Sequence, residues 1–76
     1  MFSNIISTQG VVSGKPRIIN TRLSVEFLLG LMAEGAGVDD IVATYPQLSV
    51  AQVREAIRFA AESLNQERYI DIQKAS

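Results

Sequence analysis

The chain of 76 residues contains no cysteine and no histidine. It therefore cannot form a disulfide, a thiolate metal site or a Ser-His-Asp triad, and it lacks the commonest acid–base catalyst. Only carboxylate, lysine or backbone chemistry would remain, and the acidic residues form no pair with a distinctive catalytic context. The composition predicts a protein that is not an enzyme and that needs neither a cofactor nor a metal ion.

Long apolar runs are also absent. No stretch approaches the roughly 18 apolar residues of a membrane span, and the N-terminus lacks the basic start and apolar run of a signal peptide. We therefore expect a cytoplasmic protein without membrane contact. An apolar fraction of 47% predicts a packed core in a single domain over residues 1–76. Because a core of this size gives marginal stability, we also expect a homodimer.

A strong net charge is absent as well, since the formal charge is −1. The charges are nevertheless unevenly distributed: residues 1–23 carry three cations and no acid, and residues 24–76 carry four cations and eight acids. This predicts a basic arm joined to an acidic helical body. Binding of nucleic acid would therefore depend on a local patch.

The arm is predicted to contain β-structure. Pairs of isoleucine and valine, interrupted by glycine and proline, predict two short strands over residues 5–8 and 17–19. Gly10 and Gly14 should lie in their connection, where a positive φ costs a glycine little. Asn20 after the second strand fits a left-handed turn.

Two helices should follow the arm. Ser24 is a candidate N-cap for a helix from Val25 to about Glu34, whose apolar residues are dense enough to predict an almost entirely buried helix. A short second helix should run from Val38 to about Tyr45, where Pro46 ends it.

The third helix is the best delimited, because Ser49 and Gln52 have the spacing of a capping box. It should extend from Val50 to about Gln66. The tail over residues 67–76 could be a fraying helix end, an edge strand or a segment ordered by a partner. The predicted core face of this helix is a stripe at helical spacing: Val50, Val53, Ile57, Ala60, Ala61 and Leu64.

A tight turn between the second and third helices is typical of a helix-turn-helix unit, whose second helix faces the DNA major groove. The predicted fold is thus mainly α, a three-helix helix-turn-helix bundle over residues 24–66 with an N-terminal β-hairpin or arm over residues 1–23. Polar and cationic residues in the arm and on the third helix are candidate contacts to double-stranded DNA: Lys15, Arg17, Gln52, Arg54 and Arg58.

Each of these DNA contacts has an alternative. Glu55 and Glu62 share the outer side of the third helix and would repel phosphate, and Arg58 has the spacing of a simple surface pair with Glu62. In the arm, Arg22 could bind backbone carbonyls or Glu26 and lock the arm to the first helix.

Phe59 projects roughly opposite the core stripe and would be exposed in a bare monomer. Either the N-terminal arm covers it, or a second copy or another protein does. With Tyr69, Ile70 and Ile72 it forms a candidate interface. A protein-interaction module that does not bind DNA is therefore the alternative function.

Two groups of residues form a recognisable pattern: Gly14-Lys15-Pro16, Ile18 and Thr21-Arg22, and later Tyr45-Pro46 and Leu48. This pattern resembles that of the family known as domain of unknown function 433. Asn20 stands where that family usually has glycine. The resemblance implies a homeodomain-like or winged-helix-like fold and a role as the antitoxin of a type II toxin–antitoxin pair, with a PIN-like nuclease as partner. It also implies that one group of arm residues is a structural motif: Gly14, Pro16, Ile18, Asn20, Thr21 and Arg22.

Overall fold

The computed structural model describes the backbone of residues 2–75 and the side chains of residues 2–12 and 14–64. Two short strands precede three helices, as predicted. In chain order the elements are β1 (Ile5–Ile6), a 3₁₀ turn (Val12–Gly14), β2 (Arg17–Ile18), α1 (Val25–Ala33), α2 (Val38–Thr44) and α3 (Val50–Ala75).

The two strands form an antiparallel hairpin in which Ile5 lies opposite Ile18 and Ile6 opposite Arg17. Each strand has two residues and is shorter than predicted. The pairing ends where Asn20 turns the chain with a φ of 65°, which confirms the predicted left-handed turn.

The connection between the strands turns through three residues with positive φ. Gly10 and Gly14 adopt φ angles of 85° and 76°, as predicted. Val12 also has a positive φ, 49°, which a β-branched residue rarely adopts. The sequence therefore contained no signal for the 3₁₀ turn that begins there.

Side-chain caps begin α1 and α3. The Oγ of Ser24 accepts a hydrogen bond from the backbone of Phe27 at 2.9 Å. Ser49 and Gln52 form the predicted capping box: the Ser49 Oγ accepts from the Gln52 backbone at 3.1 Å, and the Gln52 Oε1 accepts from the Ser49 backbone at 3.0 Å. These bonds satisfy N–H groups that the first turn of a helix leaves without partners.

The predicted end of α3 was wrong. The helix continues beyond Gln66 to Ala75, so the backbone of the tail is helical through that residue. No glycine or proline follows Pro46 in the sequence, and a break in the helix therefore had no local cause.

The core lies where the hairpin and the three helices meet. Its buried apolar residues are Ile18, Val25, Leu28, Ile41, Leu48, Val53 and Ala56. The prediction of an almost entirely buried α1 was wrong, because only Val25 and Leu28 of that helix are buried and Phe27 is 42% exposed. In so small a molecule, α2 and α3 cover only part of the α1 surface.

The core face of α3 also differs from the predicted stripe. Val53 is fully buried, as expected, but Val50, Ala61 and Leu64 are exposed. Ala56 is buried instead. Because the β1 strand packs against α3, part of the buried face of α3 lies toward the arm.

Candidate nucleic-acid interface

The connection from α2 to α3 is a tight turn over residues 45–49. The Leu48 backbone N–H donates to the Tyr45 carbonyl at 2.9 Å, and the Leu48 side chain is buried in the core. This anchor fixes the angle at which α3 leaves the turn. The two helices and their turn have the layout of a helix-turn-helix unit, with α3 in the position of the recognition helix.

The exposed side of α3 near this turn presents two arginines. Arg54 and Arg58 lie about one turn apart and are both exposed, as is the small residue Ala51 on the same side. The suggested surface pair between Arg58 and Glu62 is not formed, since the one ion pair among residues with described side chains lies elsewhere. Both arginine side chains are therefore exposed to solvent near the start of α3.

Gln52 differs from these arginines because its side chain is used within the protein. Its Oε1 caps the helix at Ser49, and its Nε2 donates to the Asn4 Oδ1 at 3.3 Å. A base contact by Gln52 would require breaking these bonds. Gln52 thus links the arm to the start of α3, and its role as a DNA contact stays a prediction.

Glu55 was predicted to repel phosphate from the outer side of α3, and this prediction was wrong. Its side chain is 8% exposed and accepts hydrogen bonds from the Asn4 backbone at 2.7 Å and from the Asn4 Nδ2 at 3.0 Å. The side-chain and backbone bonds from Asn4 lower the pKa of Glu55, which stays ionised beneath the arm.

Sequence reasoning missed Asn4, which is 51 residues from Glu55. Helical spacing alone places Glu55 on a polar face, and nothing local shows that the arm covers that face. The one available signal was an amide side chain directly before a strand in an otherwise apolar stretch.

In the arm, the two cations predicted to remain available are both engaged. Arg17 is 9% exposed; its Nη1 donates to the Thr21 carbonyl at 2.9 Å and its Nη2 to the Thr8 Oγ1 at 3.0 Å. Lys15 forms an ion pair with Glu26 at 2.7 Å. We therefore correct the assignment of Arg17, whose guanidinium is held inside the arm, whereas Lys15 stays exposed in its pair with Glu26 and remains a predicted phosphate contact.

Arg22 is exposed, in contrast to Arg17. It was expected to bind backbone carbonyls or Glu26, but its side chain is exposed and Lys15 pairs with Glu26 instead. The connection between the strands brings Thr8 against the guanidinium of Arg17, so that Arg17 and not Arg22 ties this part of the arm together.

The remaining motif residues shape the turn between β2 and α1. The Pro16 carbonyl accepts from the Val25 backbone at 2.9 Å. The Thr21 Oγ1 donates to the Ile18 carbonyl at 2.8 Å and accepts from the Leu23 backbone at 3.1 Å. These bonds hold the hairpin against the start of α1.

Phe59 is half-buried, and the arm covers it. The Phe2 ring packs edge-on against the Phe59 ring, with centroids 5.3 Å apart and an angle of 87° between the planes. Phe59 was expected to be covered either by the arm or by a second copy or another protein, and the structure contains the contact with the arm. Tyr69, Ile70 and Ile72 lie outside the residues whose side chains are described.

An open apolar groove of about 300 Å³ lies beside Phe59. Leu64 on its wall is 54% exposed. The Lys15–Glu26 ion pair stands at its edge, and both partners are exposed to solvent. The apolar wall is formed mainly by Pro16, Val25, Leu29, Phe59, Ala60 and Leu64.

In the described part of the chain, no group of acidic residues is arranged to hold a metal ion. Among the same residues, no helix combines the length and the apolar character needed to cross a membrane.

Comparison with known proteins gives one family. The model of DUF433, described as a protein of unknown function, matches residues 5–60. The chain is similar to the crystal structure of a DUF433 member protein from Anabaena variabilis, with 32% sequence identity and a TM-score of 0.75. The match covers 96% of this chain and 69% of the other. No curated protein matches the chain.

Proposed function

The chain belongs to the DUF433 family. We propose that it binds double-stranded DNA through its helix-turn-helix, with α3 in the major groove. The observation that carries this proposal is the burial of Glu55 beneath the arm, next to the exposed Arg54 and Arg58. The exposed side of α3 near the turn is thereby left cationic.

The charges on α3 favour this function for a physical reason. Arginine contacts DNA phosphates and the edges of guanine, and a carboxylate beside it would repel the same phosphates. Glu62 is exposed farther along α3 and is the acidic residue that remains on this side of the described helix. Recognition helices contact bases mainly with residues near their N-terminus, where Arg54 lies and Glu62 does not.

We further propose that the protein acts as the antitoxin of a type II toxin–antitoxin pair and that a PIN-like nuclease is its partner, as the family resemblance implies. The groove beside Phe59 supports a role in binding protein, because exposed apolar surface rimmed by charge is typical of interaction sites. Homodimer formation would place two α3 helices on two DNA half-sites.

A gel-shift titration tests the DNA-binding function. The probe is the DNA upstream of the protein's own gene, with and without the product of the neighbouring gene. Arg54→Ala and Arg58→Ala should each weaken the shift several-fold, because each removes a phosphate or base contact. Arg22→Ala, which removes an equal charge from the arm, is the matched control and should change it less. Equal effects of all three substitutions, or no shift in either condition, would contradict the proposal.

The groove favours a second candidate function, a protein-interaction module that does not bind DNA. In that case Leu64→Asp should abolish dimer formation or capture of the neighbouring gene product, measured by light scattering and pull-down. Phe27→Asp is the control, because Phe27 is also partly exposed but lies outside the groove. A wild-type monomer that captures no partner would exclude this candidate.

A further inference from the structure

A chain of hydrogen bonds connects the N-terminal arm to the first turns of α3. Asn4 stands at its centre: its backbone N–H and Nδ2 donate to the carboxylate of Glu55, and its Oδ1 accepts from Gln52. Gln52 in turn caps α3 at Ser49. One residue of the arm thus holds two successive turns of the helix assigned to DNA.

We infer that Asn4 is a positioning residue for DNA binding, which keeps the Glu55 carboxylate beneath the arm and away from the phosphate-facing side of α3. This inference rests on the proposed function. It assigns the arm a task beyond stabilising the fold, since the net positive charge on that side of α3 is larger when the arm covers Glu55.

The position of Glu55 explains why its release would matter. Glu55 follows Arg54 directly and lies about one turn before Arg58. When the arm is in place, the two N–H donors of Asn4 bond the two carboxylate oxygens of Glu55. Without them the carboxylate would turn to water beside the two arginines, where it would compete with DNA phosphates for both guanidinium groups.

The same contact links the arm to the helix cap. Loss of the bond from Gln52 to Asn4 leaves the amide of Gln52 held only by the cap at Ser49. The N-terminal end of a recognition helix is the part that contacts bases. Asn4 therefore acts on both the charge and the orientation of the residues that would meet DNA.

A double-mutant cycle tests this inference. DNA affinity of the full chain is measured by fluorescence anisotropy for wild type, Asn4→Ala, Glu55→Gln and the double variant. Asn4→Ala removes both side-chain bonds but keeps the backbone N–H donor to Glu55. It should therefore weaken binding by roughly three-fold, as expected for a carboxylate that is only partly released toward the interface. Glu55→Gln alone should change affinity less than about two-fold, because the carboxylate is already masked.

The double variant separates positioning from a structural role. Its DNA affinity should lie within about two-fold of the affinity of Glu55→Gln, because the released side chain no longer carries a charge. Circular dichroism and urea unfolding show whether each variant remains folded. If Asn4→Ala and Glu55→Gln act additively, or if Asn4→Ala leaves affinity unchanged, the inference is wrong although DNA binding stands. If wild type binds no DNA, both the proposed function and the inference fail.

Discussion

Arg17 stabilises the hairpin from within, because its guanidinium joins the turn before α1 to the connection between the strands. Arg22, only five residues later, is exposed. The difference arises from packing: the strand connection brings Thr8 over Arg17 but does not reach Arg22. Sequence alone gives both residues the same charge and the same neighbourhood of turn residues, so their roles could not be separated without the fold.

Replacing these two arginines should therefore have unequal effects on stability. Arg17→Ala leaves the Thr21 carbonyl and the Thr8 hydroxyl without their charged donor and should lower the free energy of unfolding by about 2 kcal/mol. Arg22→Ala is the matched control and should change it by less than about 0.5 kcal/mol. Urea unfolding followed by circular dichroism measures both. Equal losses would contradict the assigned roles.

Glu55 makes stability depend on pH in a predictable direction. Its pKa in the folded protein lies below the usual value of 4.5, so between these two values the unfolded chain binds more protons than the folded one. The stabilisation is complete above the unfolded pKa and disappears as the pH falls through the folded pKa. Unfolding measured from pH 6 to 3 should show this loss, and Glu55→Gln should reduce it.

Glu26 provides the control for this titration. Its pKa is also lowered, by a hydrogen bond and by the charge of Lys15, but both side chains are exposed. Salt screens such a pair, whereas the Glu55 contribution depends mainly on bonds from the neutral groups of Asn4. In about 1 M NaCl the effect of Glu26→Gln on the pH profile should vanish and that of Glu55→Gln should persist. If the effect of Glu26→Gln persisted at high salt and that of Glu55→Gln vanished, the causes assigned to the two lowered pKa values would be wrong.

At the scale of elements, helix beginnings were predictable and surface faces were not. Ser24 and Ser49 begin α1 and α3 as predicted because a cap is a local interaction among residues two or three positions apart. The buried face of α3 depends instead on where β1 packs. Val50 and Leu64 have the spacing of core residues, yet no other element reaches far enough to cover them.

The first turn of α2 has an incomplete cap. Gly37 occupies the N-cap without a side-chain oxygen, while Asp40 accepts from its backbone N–H at 2.8 Å, which is one half of a capping box. A Cβ at Gly37 would meet the Asp40 carboxylate at an ordinary 3.5 Å. Gly37→Ser should therefore complete the box and stabilise the protein by about 0.5–1 kcal/mol.

Gly35 is the matched control for this substitution. Its φ of 107° is one that residues with a Cβ rarely adopt, so Gly35→Ser should destabilise the protein by about 1 kcal/mol or more. Thermal and urea unfolding compare the two variants. Destabilisation by Gly37→Ser would contradict the assignment of Gly37 as the N-cap of α2.

In the molecule as a whole, the N-terminal arm covers part of the helical body, including Glu55 and Phe59 of α3. The order of strands and helices follows from the sequence, and so does the turn between α2 and α3, because each depends on local residue patterns. The candidate site depends on contacts between residues far apart in the chain. Two such contacts, of Asn4 with Glu55 and of Phe2 with Phe59, decide which side chains of α3 remain exposed. No local sequence pattern encodes either contact.

The proposed function requires the exposed arginines of α3 to contact DNA. The most direct test is the dependence of DNA affinity on salt concentration, since each phosphate contact adds about 0.9 to the slope of log K against log salt. For the variant with both Arg54→Ala and Arg58→Ala, we expect weaker binding and a slope reduced by about 2 when both contact phosphate. A variant with unchanged affinity and an unchanged slope would contradict the account.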